Sequence, residues 1–362
     1  MYSPLRHIPS LFHKQRPIQL TFFVTSRCNA KCPYCFYLQS NNSCPKEDQE
    51  LTLDEIHRVS SSMGNLLWLA FSGGEIYLRK DLPEISRIFY ENNKPVYMLY
   101  PTNGMLPERI RNYTETILRG CPQSVIVVKL SIDGLHDQHD QLRATPGSYA
   151  KTMQTYQLLS ELKDQYSNFE LGVNTVFCGQ NQDNMQDIID YVGTMTSITT
   201  HTISLVRGDL KDASYQQVDM NKYWYYADLL ANRIRNNNSP HYQFKGGKLK
   251  IAQDILQRNL IRETHNQQRR LIPCFAGKAN LVLTETGDVY PCESFSRAFG
   301  NVRDYDYYLP DMLRSTAAKN IIQQIENACC YCTHECYFIT NIMLNPMLYP
   351  AVLKEYWKLP AA

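Results

Sequence analysis

Cys28-Asn29-Ala30-Lys31-Cys32-Pro33-Tyr34-Cys35 places three thiols within eight residues, spaced C-x3-C-x2-C. The next cysteine is Cys44, and no histidine intervenes. A structural zinc site takes four ligands, usually as two separated pairs. A cubane 4Fe–4S cluster has four irons, each ordinarily held by a cysteine. Three thiolates on one loop would leave one iron open to a small molecule. A zinc knuckle completed by distant ligands competes for the same spacing.

The surroundings of this loop decide the fold. Residues 19–24 (QLTFFV) are aromatic and β-branched, which predicts a strand running straight into the cysteines. Strand patterns recur over 67–71, 95–100, 124–132, 169–176 and 201–206, and helical patterns over 52–66, 81–92, 107–120, 148–163 and 184–192 alternate with them. The first helix opens on a capping box, Thr52-Leu53-Asp54-Glu55. Strands alternating with helices, without hairpin turns, predict βαβ units and a parallel sheet. Six units are too few to close an eight-fold barrel. The expected fold class is therefore α/β, a partial (β/α)6 TIM-like barrel over 19–208. In parallel barrels the chemistry sits at the C-terminal ends of the strands. The cysteine loop, Gly73-Gly74-Glu75, Thr102-Asn103-Gly104, Ser131 and Asn174 all fall there.

Residues 1–18 read as an N-terminal extension and 209–272 as a helical connector, with helices over 217–235 and 248–260. Residues 273–362 read as a small α+β domain. In it, β-runs at 280–284 and 289–290 flank the turn Thr286-Gly287-Asp288, a hairpin that would bring Cys274 and Cys292 together. The chain then passes through Cys329-Cys330-Tyr331-Cys332-Thr333-His334-Glu335-Cys336.

The 362 residues are 43% hydrophobic, and their formal charge of +2 points to neither nucleic acid nor an acidic tail. Residues 1–18 lack a signal-peptide pattern, and no apolar window is long enough for membrane insertion. A cytoplasmic location is expected, where clustered thiols, three of the twelve cysteines at 28–35 and four at 329–336, point to metal more than to disulfides. Cys44, Cys121 and Cys178 stand alone and read as structural thiols.

The cysteine loop after the first strand, with Gly73-Gly74-Glu75 after the second, resembles the radical S-adenosylmethionine (SAM) superfamily over about residues 19–206. The resemblance implies that Cys28, Cys32 and Cys35 hold a 4Fe–4S cluster whose open iron chelates SAM. Reduction then yields methionine and a 5′-deoxyadenosyl radical that takes hydrogen from substrate, chemistry that belongs to a cofactor. It further implies that Gly73, Gly74 and Glu75 hold the methionyl amine and that Tyr34 flanks the adenine. Ser131 would contact the ribose or carboxylate, Arg143 would pair with the SAM carboxylate, and Asn174 would be the fifth-strand contact.

Cys274, Gly287 and Cys292 resemble the first half of the SPASM or twitch extension of these enzymes. Cys329-x2-Cys332-x3-Cys336 resembles its second half in shortened form, with sulfurs for one auxiliary 4Fe–4S cluster. Cys274, Cys292, Cys332 and Cys336 are its expected ligands, with Cys329 the main rival and Cys330 a lesser one. A structural zinc on the same thiols is the alternative. The auxiliary cluster would accept an electron or anchor substrate. Glu293 occupies the place where sulfatase-maturing relatives carry an acidic base, and Arg207 could bind an anionic substrate. Too few residues precede the first strand for the peptide-recognition domain of many such relatives. That shifts the expected substrate toward a small molecule or a peptide presented by a partner. Flavodoxin or ferredoxin is the expected reductant. A non-enzymatic iron–sulfur electron carrier and a zinc-stapled structural protein are the competing classes.

Overall fold

The computed structural model describes residues 1–12, 16–37, 47–210, 212–236, 242, 244, 246–327 and 330–360. Cys44 and Cys329 lie outside them. Six strands alternate with helices in the order β1 (Gln19–Thr25), α1 (Leu53–Ser61), β2 (Trp68–Gly73), α2 (Leu82–Asn93), β3 (Tyr97–Thr102), α3 (Pro107–Gly120) and β4 (Val125–Ser131). Then follow α4 (His136–Leu142), α5 (Ser148–Gln165), β5 (Phe169–Phe177), α6 (Met185–Thr194) and β6 (Thr200–Leu205). Two helices come next, α7 (Met220–Arg235) and α8 (Gly247–Gln267). The chain continues through β7 (Asn280–Leu283), β8 (Asp288–Tyr290), β9 (Gly300–Asn301), α9 (Leu309–Arg314), α10 (Thr316–Glu326), α11 (Glu335–Met343) and α12 (Tyr349–Lys358).

The sheet order is β6-β5-β4-β3-β2-β1-β7-β8-β9. All neighbours from β6 to β7 are parallel, and β7-β8-β9 is antiparallel. The sheet does not close, so the architecture is the expected partial (β/α)6 barrel. The predicted hairpin forms, with Val282 opposite Tyr290. Local patterning did not reveal that β7 adds to the barrel sheet beside β1, Gln19 facing Asn280. That pairing joins segments some 260 residues apart, a contact no local period encodes.

Alternation along each strand sorts core from bore. On β4, Ile126, Val128 and Leu130 are fully buried in the core, while Val127, Lys129 and Ser131 line a central cavity. Phe22, Phe71 and Phe89 pack as an aromatic trio at 6.0–6.4 Å between ring centroids, each side chain contributing about 1.5–3 kcal/mol by burial. The capping box at Thr52 forms with both reciprocal bonds. Helix α4 was not expected. Its sequence, HDQHDQL, buries only His139 and Leu142 and so carries no apolar period. Among the described residues no single helix is long and apolar enough to cross a membrane.

Candidate active site at the strand ends

The cysteine loop lies directly on the glycines after β2. Gly74 N–H donates to the Thr25 carbonyl at 2.8 Å, and Glu75 N–H to the Arg27 carbonyl at 2.8 Å. A Cβ at position 73 would stand 2.2 Å from the Thr25 oxygen, and one at 74 would stand 2.1 Å from the Arg27 oxygen. Gly73 also has φ +132°, a region that favours glycine. The two glycines thus admit the loop's own backbone. A buried ion-pair cluster, not foreseen from the sequence, holds the loop from behind. Glu50 accepts from Thr25 Oγ1 at 2.5 Å, from Arg79 Nη1 at 3.0 Å and from Arg27 Nη2 at 3.2 Å.

Cys28 Sγ accepts from the Ala30 N–H at 3.4 Å and from Asn103 Nδ2 at 3.8 Å. Burial pushes its thiol up to about 11 against the Ala30 bond, with Glu75, Cys32 and Cys35 adding to the rise. Burial also raises Cys32, which Arg143 partly offsets. Thiols crowded this closely resist ionisation until a cationic centre joins them, which suits a cluster. Among the described residues no three His, Cys, Asp or Glu side chains converge on a point that would hold one metal ion.

Glu75 is buried and accepts from Thr102 Oγ1 at 2.8 Å, Asn103 N–H at 2.8 Å and Tyr77 N–H at 3.2 Å. It therefore ties the rim of β2 to Thr102-Asn103-Gly104. Burial raises its pKa despite these donors. No cationic side chain pairs with it among the described residues, so the site has room for an ammonium group. Tyr34 donates to Asp133 Oδ2 at 2.6 Å, and the Arg143 guanidinium pairs with the same oxygen. Asp133 Oδ1 accepts the Val176 N–H at 2.7 Å. Arg143 Nε is buried without a partner, a donor left over for a carboxylate. Asp133 is thus the organising anion of this corner. It stands two residues after Ser131, where the sequence marked only a strand end. Ser131 faces Asn174 across β4 and β5, and Asn174 Oδ1 accepts from Ser204 at 3.0 Å.

Tyr34, Ser131, Asn174 and Ser204 line a cavity of about 350 Å³ that also takes in Glu293, His334, Glu335 and Cys336. Glu293 sits 3.0 Å from His334 Nε2. Burial would raise the Glu293 carboxyl, but His334 and Arg207 hold it below its ordinary range. Arg207, a candidate anion binder from the sequence, is paired with Glu335. A second cavity of about 190 Å³ is lined by Cys274, Cys292, Cys330 and Cys332. Burial pushes Cys292 up to about 12, with Cys332, Cys274 and Cys330 among the groups adding to the rise. Arg270 Nη2 donates to Cys330 Sγ at 3.3 Å and to its carbonyl at 2.8 Å. Three of the four expected auxiliary ligands thus border one cavity. Beside them the structure places Cys330, itself solvent-exposed, and it sets Cys336 on the larger cavity.

Residues 22–192 match the radical SAM superfamily and residues 274–337 the SPASM iron–sulfur cluster-binding domain. The antilisterial bacteriocin subtilosin biosynthesis protein AlbA of Bacillus subtilis is 26% identical over 291 residues, 79% of this chain and 57% of that protein. The chain thus spans little more than half the length of this relative. Among solved structures, anSMEcpe with bound AdoMet superposes with a TM-score of 0.61 at 17% identity, covering 95% of this chain and 96% of that one. Streptococcus suis SuiB bound to S-adenosylmethionine gives 0.59 at 14% identity, covering 87% and 71%. SuiB has also been solved with the precursor peptide SuiA. With the cysteine loop seated on Gly73 and Gly74 at the rim of an open parallel barrel, the chain carries a radical SAM domain over residues 22–192 and a SPASM-type iron–sulfur domain over residues 274–337.

Proposed function

We propose that this chain is an enzyme that takes a hydrogen atom from its substrate, using SAM on a 4Fe–4S cluster held by Cys28, Cys32 and Cys35. When bound, the cluster and SAM supply a 5′-deoxyadenosyl radical; the protein supplies position and exclusion of water. The observation that carries this reading is the cysteine loop on Gly73-Gly74, beside a buried carboxylate that lacks a cation and a buried arginine Nε that lacks an acceptor. Glu75 suits the methionyl ammonium, and Arg143 suits the methionyl carboxylate. Tyr34 is fixed by Asp133 for the adenine, and Ser131 and Asn174 border the cavity where ribose and substrate would meet. Neither an electron carrier nor a zinc staple needs that second set of groups.

A second 4Fe–4S cluster fits the smaller cavity, held by Cys274, Cys292, Cys332 and one further thiol. It would accept the substrate's electron or anchor the substrate. Glu293, on the wall shared with the SPASM segment, is the candidate to receive the substrate proton, with His334 holding its carboxylate in place. AlbA acts in bacteriocin biosynthesis and SuiB has been solved with a precursor peptide, which supports a peptide substrate here. A cavity of about 350 Å³ admits a side chain or a small molecule, not a folded peptide.

Anaerobic reconstitution with iron and sulfide, followed by dithionite and SAM, tests this reading. About eight irons per chain, as expected for two cubanes, and formation of 5′-deoxyadenosine are the expected results. A reconstituted protein that neither binds SAM nor releases 5′-deoxyadenosine would sink it. Stoichiometric zinc without cluster absorbance would favour the structural protein.

A further inference from the structure

We infer that the inner chamber of the main cavity recognises a carboxylate of the substrate through Lys129 and Arg258; this rests on the cavity being the substrate site proposed above. Lys129 lies two residues below the rim residue Ser131 on β4, roughly 6–7 Å down the bore at the usual rise per residue. Its ammonium donates to Thr200 Oγ1 at 2.6 Å and Thr202 Oγ1 at 3.0 Å. Both acceptors are neutral, and one ammonium hydrogen is left over. On the facing wall, Lys250, Asp254, Gln257, Arg258 and Ile261 of α8 line the same cavity, spaced to share one helix face.

The charges in the chamber do not balance. Asp254 is paired with Lys250, and Glu170 lies 3.9 Å from Lys163. Arg258 donates to the Ala227 carbonyl at 3.3 Å, and among the described residues no carboxylate forms an ion pair with Arg258 or Lys129. Arg207, nearer the rim, is spoken for by Glu335. The β4 and α8 walls thus set three cations, Lys129, Lys250 and Arg258, around the single cavity-lining carboxylate Asp254, a positive excess that costs stability unless an anion completes it.

Room for the ammonium is built in. A Cβ at Gly172 on β5 would stand 2.9 Å from both Nζ and Cδ of Lys129 and 2.5 Å from Thr200 Oγ1. Burial depresses Lys129 to about 7, with Asp254 opposing and Lys250 and Arg258 reinforcing; Glu170 adds a smaller upward pull. His201 lies outside the chamber, lining a smaller neighbouring cavity beside Thr175, and is itself pushed down to about 3 by burial and by Lys129, Arg258 and Arg233.

Trp68 and Trp224 line the cavity and report on its contents. The test is tryptophan fluorescence of the reconstituted protein, titrated with potassium glutarate against potassium chloride of equal ionic strength. A saturable change is expected in the wild type. Its apparent affinity should weaken about tenfold or more in Lys129→Met and in Arg258→Gln. N-acetylglutamate N-methylamide, which carries the same carboxylate on a blocked residue, separates the sources. Its binding assigns the anion to a peptide, and its failure where glutarate binds assigns a small acid.

Because Lys129 is depressed in the folded state, the wild type gains stability as pH rises from about 7 toward the ordinary lysine range. Lys129→Met should therefore melt higher than the wild type near pH 6, by a margin that narrows above pH 7, while losing the anion. A structural lysine would not lose affinity while gaining stability. No saturable change in the wild type, or variants that titrate like it, would overturn the inference. The titration uses neither SAM nor reductant, so its failure is separate from failure of SAM cleavage.

Discussion

Gly74→Ala is expected to remove the SAM-binding cluster while leaving the rest of the molecule folded. The new Cβ would meet the Arg27 oxygen at 2.1 Å, the Arg27 carbonyl carbon at 2.5 Å and the Ser26 oxygen at 2.9 Å. All three are backbone atoms, so no side-chain rotation relieves the contact. Separating them to van der Waals distance moves the cysteine loop by about an ångström and breaks the Gly74 to Thr25 and Glu75 to Arg27 bonds, each worth about 1 kcal/mol. Such a shift also pulls Arg27 from Glu50, and a displacement of that size in a site that must hold reacting groups costs about a hundredfold or more in rate. The expected readout is a loss of about four irons per chain and of all 5′-deoxyadenosine, with far-UV circular dichroism unchanged. Gly64→Ala is the control, since its Cβ meets nothing within 4 Å. Full iron and intact SAM binding in Gly74→Ala would show that the glycines do not seat the loop.

That prediction also marks where sequence reasoning stopped. The six strands and most of their helices were legible because each carries its own period, and once the strands were placed, the rim motifs followed. The glycines were read as room for a ligand. Their tightest neighbours are instead Thr25 and Arg27, nearly fifty residues earlier, a contact that no local pattern announces. Pairings at long range were likewise invisible: Arg79 with Glu50, Arg207 with Glu335, and β7 with β1. Lys129 did leave a signal. It is the one charged residue in the run SVIVVKLSI, at a position whose neighbours in the period, Val127 and Ser131, face the bore. A cation on the inward face of a buried strand calls for an explanation that Ile or Val would not. Helix α4 lacked a signal, because a short polar helix carried along by its neighbours needs none.

Cys330→Ala is expected to halve the iron, whereas Cys336→Ala should leave it intact, the opposite of what the SPASM resemblance implied for Cys336. In the structure, Cys336 is the second residue of α11 and lines the large cavity with His334, Glu335 and Glu293. Cys274, Cys292, Cys330 and Cys332 instead surround one smaller cavity. Arg270 adds a reason for Cys330, because a guanidinium N–H to its sulfur would raise a bound cluster's potential. Iron and sulfide content, with EPR of the reduced protein, separates the outcomes without recourse to turnover. Loss of about four irons in Cys330→Ala, with the SAM-site signal retained, assigns Cys330 as the fourth ligand. The same loss in Cys336→Ala alone would return the ligand to the position that the SPASM resemblance implied. Cys329→Ala is the third arm, and a loss confined to it would place the ligand outside the described residues. If Cys336 is free of the cluster, it remains a thiol on the wall of the cavity beside Glu293. Retention of both clusters in Cys336→Ala, with substrate conversion lowered, would then locate its role in the substrate site.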